Sequence, residues 1–172
     1  MITIVAAGPD DATEILAIQL RAFEAEARLV DNRDIPPMTE TIESVIDQIE
    51  LTRVLKAVDG QRILGSIRGV MSDNVCTIQR LSIALDCQGL GLGSALLAAI
   101  EQQHPQASGF ELITNRAMDA NVRFYQRHGY RVVGTIHHSD KISLVRMGKR
   151  NSASHAVGPE MTSTTHDEAG RP

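Results

Sequence analysis

Three glycines at alternate positions, Gly89, Gly91 and Gly93, separate an apolar alternating run from a set of strong helix formers. Glycine permits turns that bare successive backbone N–H groups. A helix opening at the same point adds about half a positive charge to them. The chemistry this suits is capture of a phosphate or pyrophosphate. Downstream, Asn121 and Tyr125 stand four apart, the spacing that puts two side chains on one helix face. A tyrosine phenol, with an ordinary pKa of about 10, can donate a proton at neutral pH.

The elements that must position these residues follow from the flanking pattern. In the run Val75–Ile83, Leu81 and Ile83 fall on one face and Arg80 and Ser82 on the other, the period of a strand. Ala95, Leu96, Leu97, Ala98, Ala99 and Ile100 then read as a helix, stopped by Pro105. A Walker loop requires Lys after its glycines, and none follows. A dinucleotide loop fits Gly89 and Gly91, but Ser94 holds its third position and five residues separate Ile83 from Gly89. The pattern met is Gln/Arg-x-x-Gly-x-Gly/Ala, by Gln88, Gly91 and Gly93. The plain alternative is a turn that only joins strand to helix.

A second block begins with a short strand, Phe110–Thr114, ending at Asn115. A short helix follows, with Asp119 expected as its N-cap and Gly129 just past its end. Phe124 points away from the Asn121–Tyr125 face and is expected in the core. By itself Tyr125 reads equally well as an ordinary half-buried aromatic.

On Gln88, Gly91 and Gly93, and on Asn121, Tyr125, Gly129 and Tyr130, the chain resembles the GNAT superfamily of N-acetyltransferases over most of residues 1–149. The resemblance implies an α/β (α+β) fold, a mixed, mostly antiparallel sheet flanked by helices, in the order β-α-α-β-β-β-α-β-α-β-β. It implies that acetyl-CoA is the cosubstrate, its pyrophosphate held along Gln88, Gly89, Leu90, Gly91, Leu92, Gly93 and Ser94. The strand backbone at Leu81, Ser82 and Ile83 would pair with the pantetheine as an added strand. The Ile83 N–H would polarise the thioester carbonyl. Asn121 would hydrogen-bond the pantetheine, Tyr125 would protonate the departing thiolate, and Asn115 and Phe124 complete the expected binding set. No metal is implied.

Many members carry a strand Glu where this chain has Gln79, and an amide cannot accept the amine's proton. Glu24, Glu40, His137, His138 or an ordered water are the substitutes, each with a plain reading as a solvated surface residue. The first helices and their loop shape the acceptor cleft in this family. They carry Glu24, Glu26, Asp31, Asp34 and Glu40 against Arg21, Arg28 and Arg33, a bias that suits a cationic amine. A non-catalytic acyl-CoA-binding module is the reading from another class. The missing strand carboxylate allows it and Tyr125 counts against it.

The 172 residues suffice for one domain with a proper core, and 42% apolar content is ordinary for a globular protein. Aromatics make up 3%, so that core is aliphatic. A net charge of −4 and the lack of a basic stripe argue against nucleic acid. Cys76 and Cys87 suggest reduced thiols, Cys87 with some exposure. The N-terminal run has neither a basic segment nor a long apolar one, so no signal peptide is read, and no run reaches membrane-spanning length. A cytoplasmic enzyme is expected, with a homodimer left open. Asp11 and Glu14 suggest a capping box, residues 28–38 a loop, Thr39 or Thr41 a second cap, and Asp59-Gly60 a hairpin turn. Residues 150–172 are polar, aperiodic and expected to be disordered.

Overall fold

The computed structural model describes residues 1–139 and 142–152. Its strands are β1 (Ile2–Ala6), β2 (Arg53–Asp59), β3 (Arg62–Ser72), β4 (Val75–Ile83), β5 (Gly109–Asn115), β6 (Arg131–Ser139) and β7 (Ile142–Arg150). The helices are α1 (Ala12–Leu29), α2 (Pro36–Thr39), α3 (Ile42–Leu51), α4 (Leu92–Gln102) and α5 (Asp119–Arg127). The strands form one sheet in the order β1-β2-β3-β4-β5-β7-β6. Every neighbouring pair is antiparallel except β4 and β5, whose parallel pairing requires the crossover that α4 supplies. The mixed, mostly antiparallel sheet and its element order are those expected. The single turn α2 is added within the segment read as a loop.

Alternation along β2 and β3 sends side chains to two cores. Leu55, Ala57 and Leu64 join Leu96, Leu97, Ile100, Phe110 and Met147 under α4. Val54 and Ile63 join Ala12, Ile15, Leu16 and Val45 under α1 and α3. The sheet is therefore covered on both faces. No helix among the described residues is long and apolar enough to cross a membrane.

Several local expectations are redirected by tertiary partners. Thr41 is the cap of α3, its Oγ1 accepting from the Ser44 N–H at 3.2 Å. The Asp11–Glu14 box does not form. The Asp11 carboxylate takes the Gly8 N–H and the Lys56 ammonium instead, and Glu14 accepts the Ile63 N–H at 3.0 Å. Two charge-assisted bonds hold Asp11 more firmly than a single cap bond would. Asp119 is the first residue of α5, after a Met118 cap. Cys87 is buried, at 8% exposure. β7 runs on to Arg150, and Asn151 donates to Pro105 O and Ala107 O, so the folded unit reaches past residue 149. The disorder expected beyond it falls almost wholly outside the described residues.

One polar knot ties α1, α2, β3 and β4 together. Glu40, just after α2, has a side chain only 6% exposed. Its Oε1 meets Arg68 Nη2 at 2.8 Å, and its Oε2 accepts from Arg80 Nε at 3.0 Å and Gln19 Nε2 at 2.8 Å. Gln19 Nε2 also donates to Pro37 O at 2.9 Å. Burial alone would raise the Glu40 pKa, but the Gln19 amide and the two guanidiniums together hold it below the usual carboxylate range. Glu40 is therefore a structural anion beneath the surface, not the rim charge its sequence position suggested.

Glu40→Ala strands the buried Arg68 guanidinium and the part-buried Arg80, and should cost about 3–5 kcal/mol, read from denaturant unfolding at pH 7. The folded-state pKa is lowered, so this stabilisation is fully present above the unfolded carboxylate value of about 4.3. It is lost as pH falls through the folded value. The gap between wild type and variant should therefore narrow on acidification, and a gap independent of pH would count against the ion-pair account.

Candidate active site

β4 and β5 pair only over Val75–Thr77 and Gly109–Glu111. Beyond that point they part. β5 stays with β7 to its last residue, Asn115, and β4 stays with β3. The divergence accompanies an irregularity in the β3–β4 register between Ser66 and Arg68, where β4 carries an extra residue. Arg80 lies in that bulge with φ of +54°, a conformation non-glycine residues rarely adopt. Gly65 makes room on β3, since a Cβ there would sit 2.6 Å from Ser82 O. The Ala84 N–H donates to Leu64 O on the β3 side. Strand alternation then turns the Ile83 N–H to the opposite edge, into the cleft between the strands. Ser82 is buried, its hydroxyl donating to Arg80 O, so its contribution to a ligand is limited to backbone.

Where β4 ends, the glycine loop begins. Gly89 and Gly91 adopt φ of +78° and +80°, and Gly91 is the residue from which α4 starts. Among the described residues, no N–H from Gly89 to Ser94 has a hydrogen-bond partner within the protein. The space above Gly89 and Gly91 is open, with nothing within 4 Å of an added Cβ. Bared N–H groups at a helix start, beneath open space, suit a pyrophosphate. Leu90 is exposed, whereas the Leu92 side chain is buried in the core and leaves only its backbone to the loop. Gln88 is exposed, and its amide reaches back to Ile83 O at 3.4 Å.

α5 stands beside this loop. The Phe124 ring lies 3.5 Å from where a Gly93 Cβ would be, so Gly93 lets α4 and α5 approach. Phe124 packs against the core as expected and meets the Tyr125 ring edge-on at 5.1 Å. Asn121 and Tyr125 are both half-buried on α5. Burial, and after it the charge of Glu26, raises the Tyr125 pKa, so the phenol holds its proton at any ordinary pH. Tyr130 is committed to structure, donating to Glu101 at 2.8 Å, and Glu101 also pairs with Lys149 at 2.7 Å.

Two of the groups proposed from the sequence as proton acceptors, Glu24 and Glu40, are engaged by arginines. Glu24 is forked by Arg33 at 2.8 Å and by Arg28 at 3.0 Å, and both hold its pKa down. Glu40 is locked in its buried knot. His137 is exposed on β6, a sheet-edge strand. His138 lies on the same strand.

Among the described residues, Glu26 on α1 differs from both Glu24 and Glu40 in having no cation paired with it. It is half-buried, and that burial raises its pKa. Asn115 is 2% exposed, with its Oδ1 accepting the Ala117 N–H at 3.0 Å. Its side chain is thus spent within the protein, not offered to a ligand. The sequence did carry a signal for Glu26. Ile18, Ala22 and Glu26 are spaced by four, so Glu26 continues the apolar stripe of α1 as a carboxylate on an inward face.

The model of the acetyltransferase (GNAT) domain matches residues 32–151. The chain belongs to the GNAT acetyltransferase family. It is 36% identical over 77 residues to a protein of Methanocaldococcus jannaschii called uncharacterized N-acetyltransferase MJ1530, an alignment covering 43% of this chain. The chain spans about half the length of that relative, 49%. Among solved structures it resembles the ribosomal-protein-S18-alanine N-acetyltransferase of Escherichia coli, with TM-score 0.74 and 15% identity over 94% of this chain and 98% of the other. It also resembles the PaiA N-acetyltransferase of Thermoplasma acidophilum in complex with coenzyme A, with TM-score 0.71 and 16% identity over 87% and 99%. At these identities the likeness shows the fold.

A valine at Gly91 would meet no protein atom but would be forced to a φ of +80°. Left-handed backbone costs a non-glycine residue roughly 1–2 kcal/mol, and more when β-branched. Gly91→Val should therefore leave the core intact and dismantle the cradle. Calorimetry with coenzyme A should show binding lost while the unfolding transition stays cooperative. Wild-type affinity in the folded variant would refute the loop's role.

Proposed function

We propose that this chain is an N-acetyltransferase that moves the acetyl group of acetyl-CoA to a primary amine of a small molecule or peptide. The observation that carries the reading is the β4–β5 cleft, with a bared N–H cradle at the end of β4 and a protonated phenol on the α5 side. The family supports the chemistry, and a structural neighbour with coenzyme A supports the carrier. Acetyl-CoA supplies an activated acyl group that an amine can attack directly.

Each group has a defined task. The N–H groups from Gly89 to Ser94 take the pyrophosphate. The free edge of β4 around Leu81–Ile83 takes the pantetheine as a peptide-like strand, with help from Asn121 on α5. The Ile83 N–H points into the cleft, where it can hydrogen-bond the thioester oxygen and stabilise charge developing there. Tyr125 gives its proton to the sulfur as the C–S bond breaks. The acidic bias of the acceptor region is largely cancelled in the fold, since arginines neutralise Glu24 and Glu40. Specificity for the amine therefore rests on fewer charges than the composition of that segment suggested.

Tyr125→Phe tests the assignment. Removing a general acid lowers rate by about 10²–10⁴. The loss should fall on kcat, with coenzyme A affinity unchanged, because the phenol proton matters in the transition state more than in the ground state. Thiol release from acetyl-CoA across an amine panel measures it. A fully active Tyr125→Phe protein would remove the acid role.

A further inference from the structure

We propose that the cavity between α1 and the end of β4 takes an acceptor amine with an apolar body and a carboxylate, and that Arg21 reads the carboxylate. This rests on the acetyltransferase reading above and names the class of acceptor.

A cavity of about 500 Å³ is lined by Leu20, Arg21 and Glu24 of α1, by Arg33 and Met38 from the segment that follows, and by Leu85. That volume is in the range of small-molecule sites. Leu85 stands two residues beyond Ile83. Two residues of chain span at most about 7 Å, so this wall adjoins the N–H assigned to the thioester carbonyl. A molecule seated in the cavity is therefore within reach of the carbon that its amine must attack.

The lining divides by chemistry. Leu20 and Met38 are half-buried, and Leu85 is 60% exposed although it is a large apolar side chain. An apolar wall this open to water favours an apolar ligand that covers it. The polar part of the lining is positive. Glu24 is forked by Arg33 through both carboxylate oxygens, at 2.8 Å each, and is also bound by Arg28 at 3.0 Å. Those bonds occupy the carboxylate and leave it little to offer a cationic ligand. Arg21, one turn before Glu24, is exposed and has no ion pair or hydrogen bond among the described residues. Asp31 and Asp34, the acids of the following loop, do not line the cavity. The uncompensated charge there is thus a guanidinium, whose planar fork of donors matches a carboxylate. The composition of α1 and its loop suggested a cationic acceptor. The fold spends Glu24 and Glu40 on arginines and leaves one arginine over.

The test is thiol release from acetyl-CoA with matched amines. Linear ω-amino acids of four to eight carbons are set against the alkylamines and the α,ω-diamines of the same length. All carry alkyl-ammonium groups close in basicity, so the comparison isolates the carboxylate. The amino acids should lead in kcat/KM by about 10–100-fold, the range of a charge-assisted hydrogen bond. Each added methylene should raise kcat/KM by about 3–4-fold until the cavity is filled. Arg21→Glu should reverse the order and put the diamines first. Coenzyme A affinity and melting temperature should stay close to wild type, because Arg21 has no partner to lose. Leu85→Ser should flatten the gain per methylene. A wild type that prefers the diamines or the plain alkylamines overturns the proposal. So does an Arg21→Glu variant that keeps the wild-type order, or one that loses coenzyme A affinity instead. A short peptide beginning leucine-glutamate, set against leucine-glutamine, separates the sources of the carboxylate. The same preference there assigns it to a peptide, and its absence to a free amino acid. The wider reading fails separately, through a wild-type protein that releases no thiol with any amine. Calorimetry of the longest ω-amino acid then decides the cavity: binding lost in Arg21→Glu supports it, and equal or absent binding in both proteins rejects it.

Discussion

The parting of β4 from β5 is the constraint on which the rest of the structure depends. Two parallel neighbours pair over three residues each and then separate inside a continuous sheet. Left to themselves, their backbone groups would continue the ladder, since unpaired N–H and C=O groups in a sheet interior are costly. The separation persists because other interactions hold β4 away. The bulge at Arg80 turns the strand, Gly65 admits the kinked backbone, and Glu40 clamps Arg80 and Arg68 from the α2 side. The left-handed Arg80 and the buried ions are unfavourable locally, and they are tolerated because they leave a strand edge open to a ligand.

That open edge explains why the site is built from several elements. Around it stand the backbone of β4, the N–H groups of the loop into α4 and the Tyr125 phenol on α5. Close packing sets their mutual distances. Gly93 and Phe124 bring α4 and α5 together. Burial raises the pKa of both Tyr125 and Glu26. Tyr125 therefore keeps its proton at any ordinary pH.

The acid distribution around α1 and α2 shows how a fold can invert a sequence impression. Glu24, Glu26 and Glu40 look alike as acidic residues of one region. In the structure, Glu24 is pinned on the surface by two arginines, Glu40 is buried as a structural anion, and Glu26 is half-buried with its pKa raised. The difference is not in side-chain chemistry but in which cations lie within reach, and those come from other elements.

Much of the site was nonetheless legible from local patterns. The strand–glycine–helix succession at Ile83–Ala95 and the Asn121–Tyr125 spacing are short-range features, governed by backbone freedom and helical period, and they survive in the fold unchanged. The element types and their order along the chain were likewise accessible through periodicity and the family motifs, whereas the order of strands in the sheet came from the structure. What only the tertiary structure decided is long-range. Asp11 left its cap for Lys56, Asn115 turned inward to Ala117, and Glu40 went inward to Arg68 and Arg80. A polar side chain takes the strongest partner the packed chain brings to it, and residues far apart in sequence acquire that nearness only when the sheet assembles.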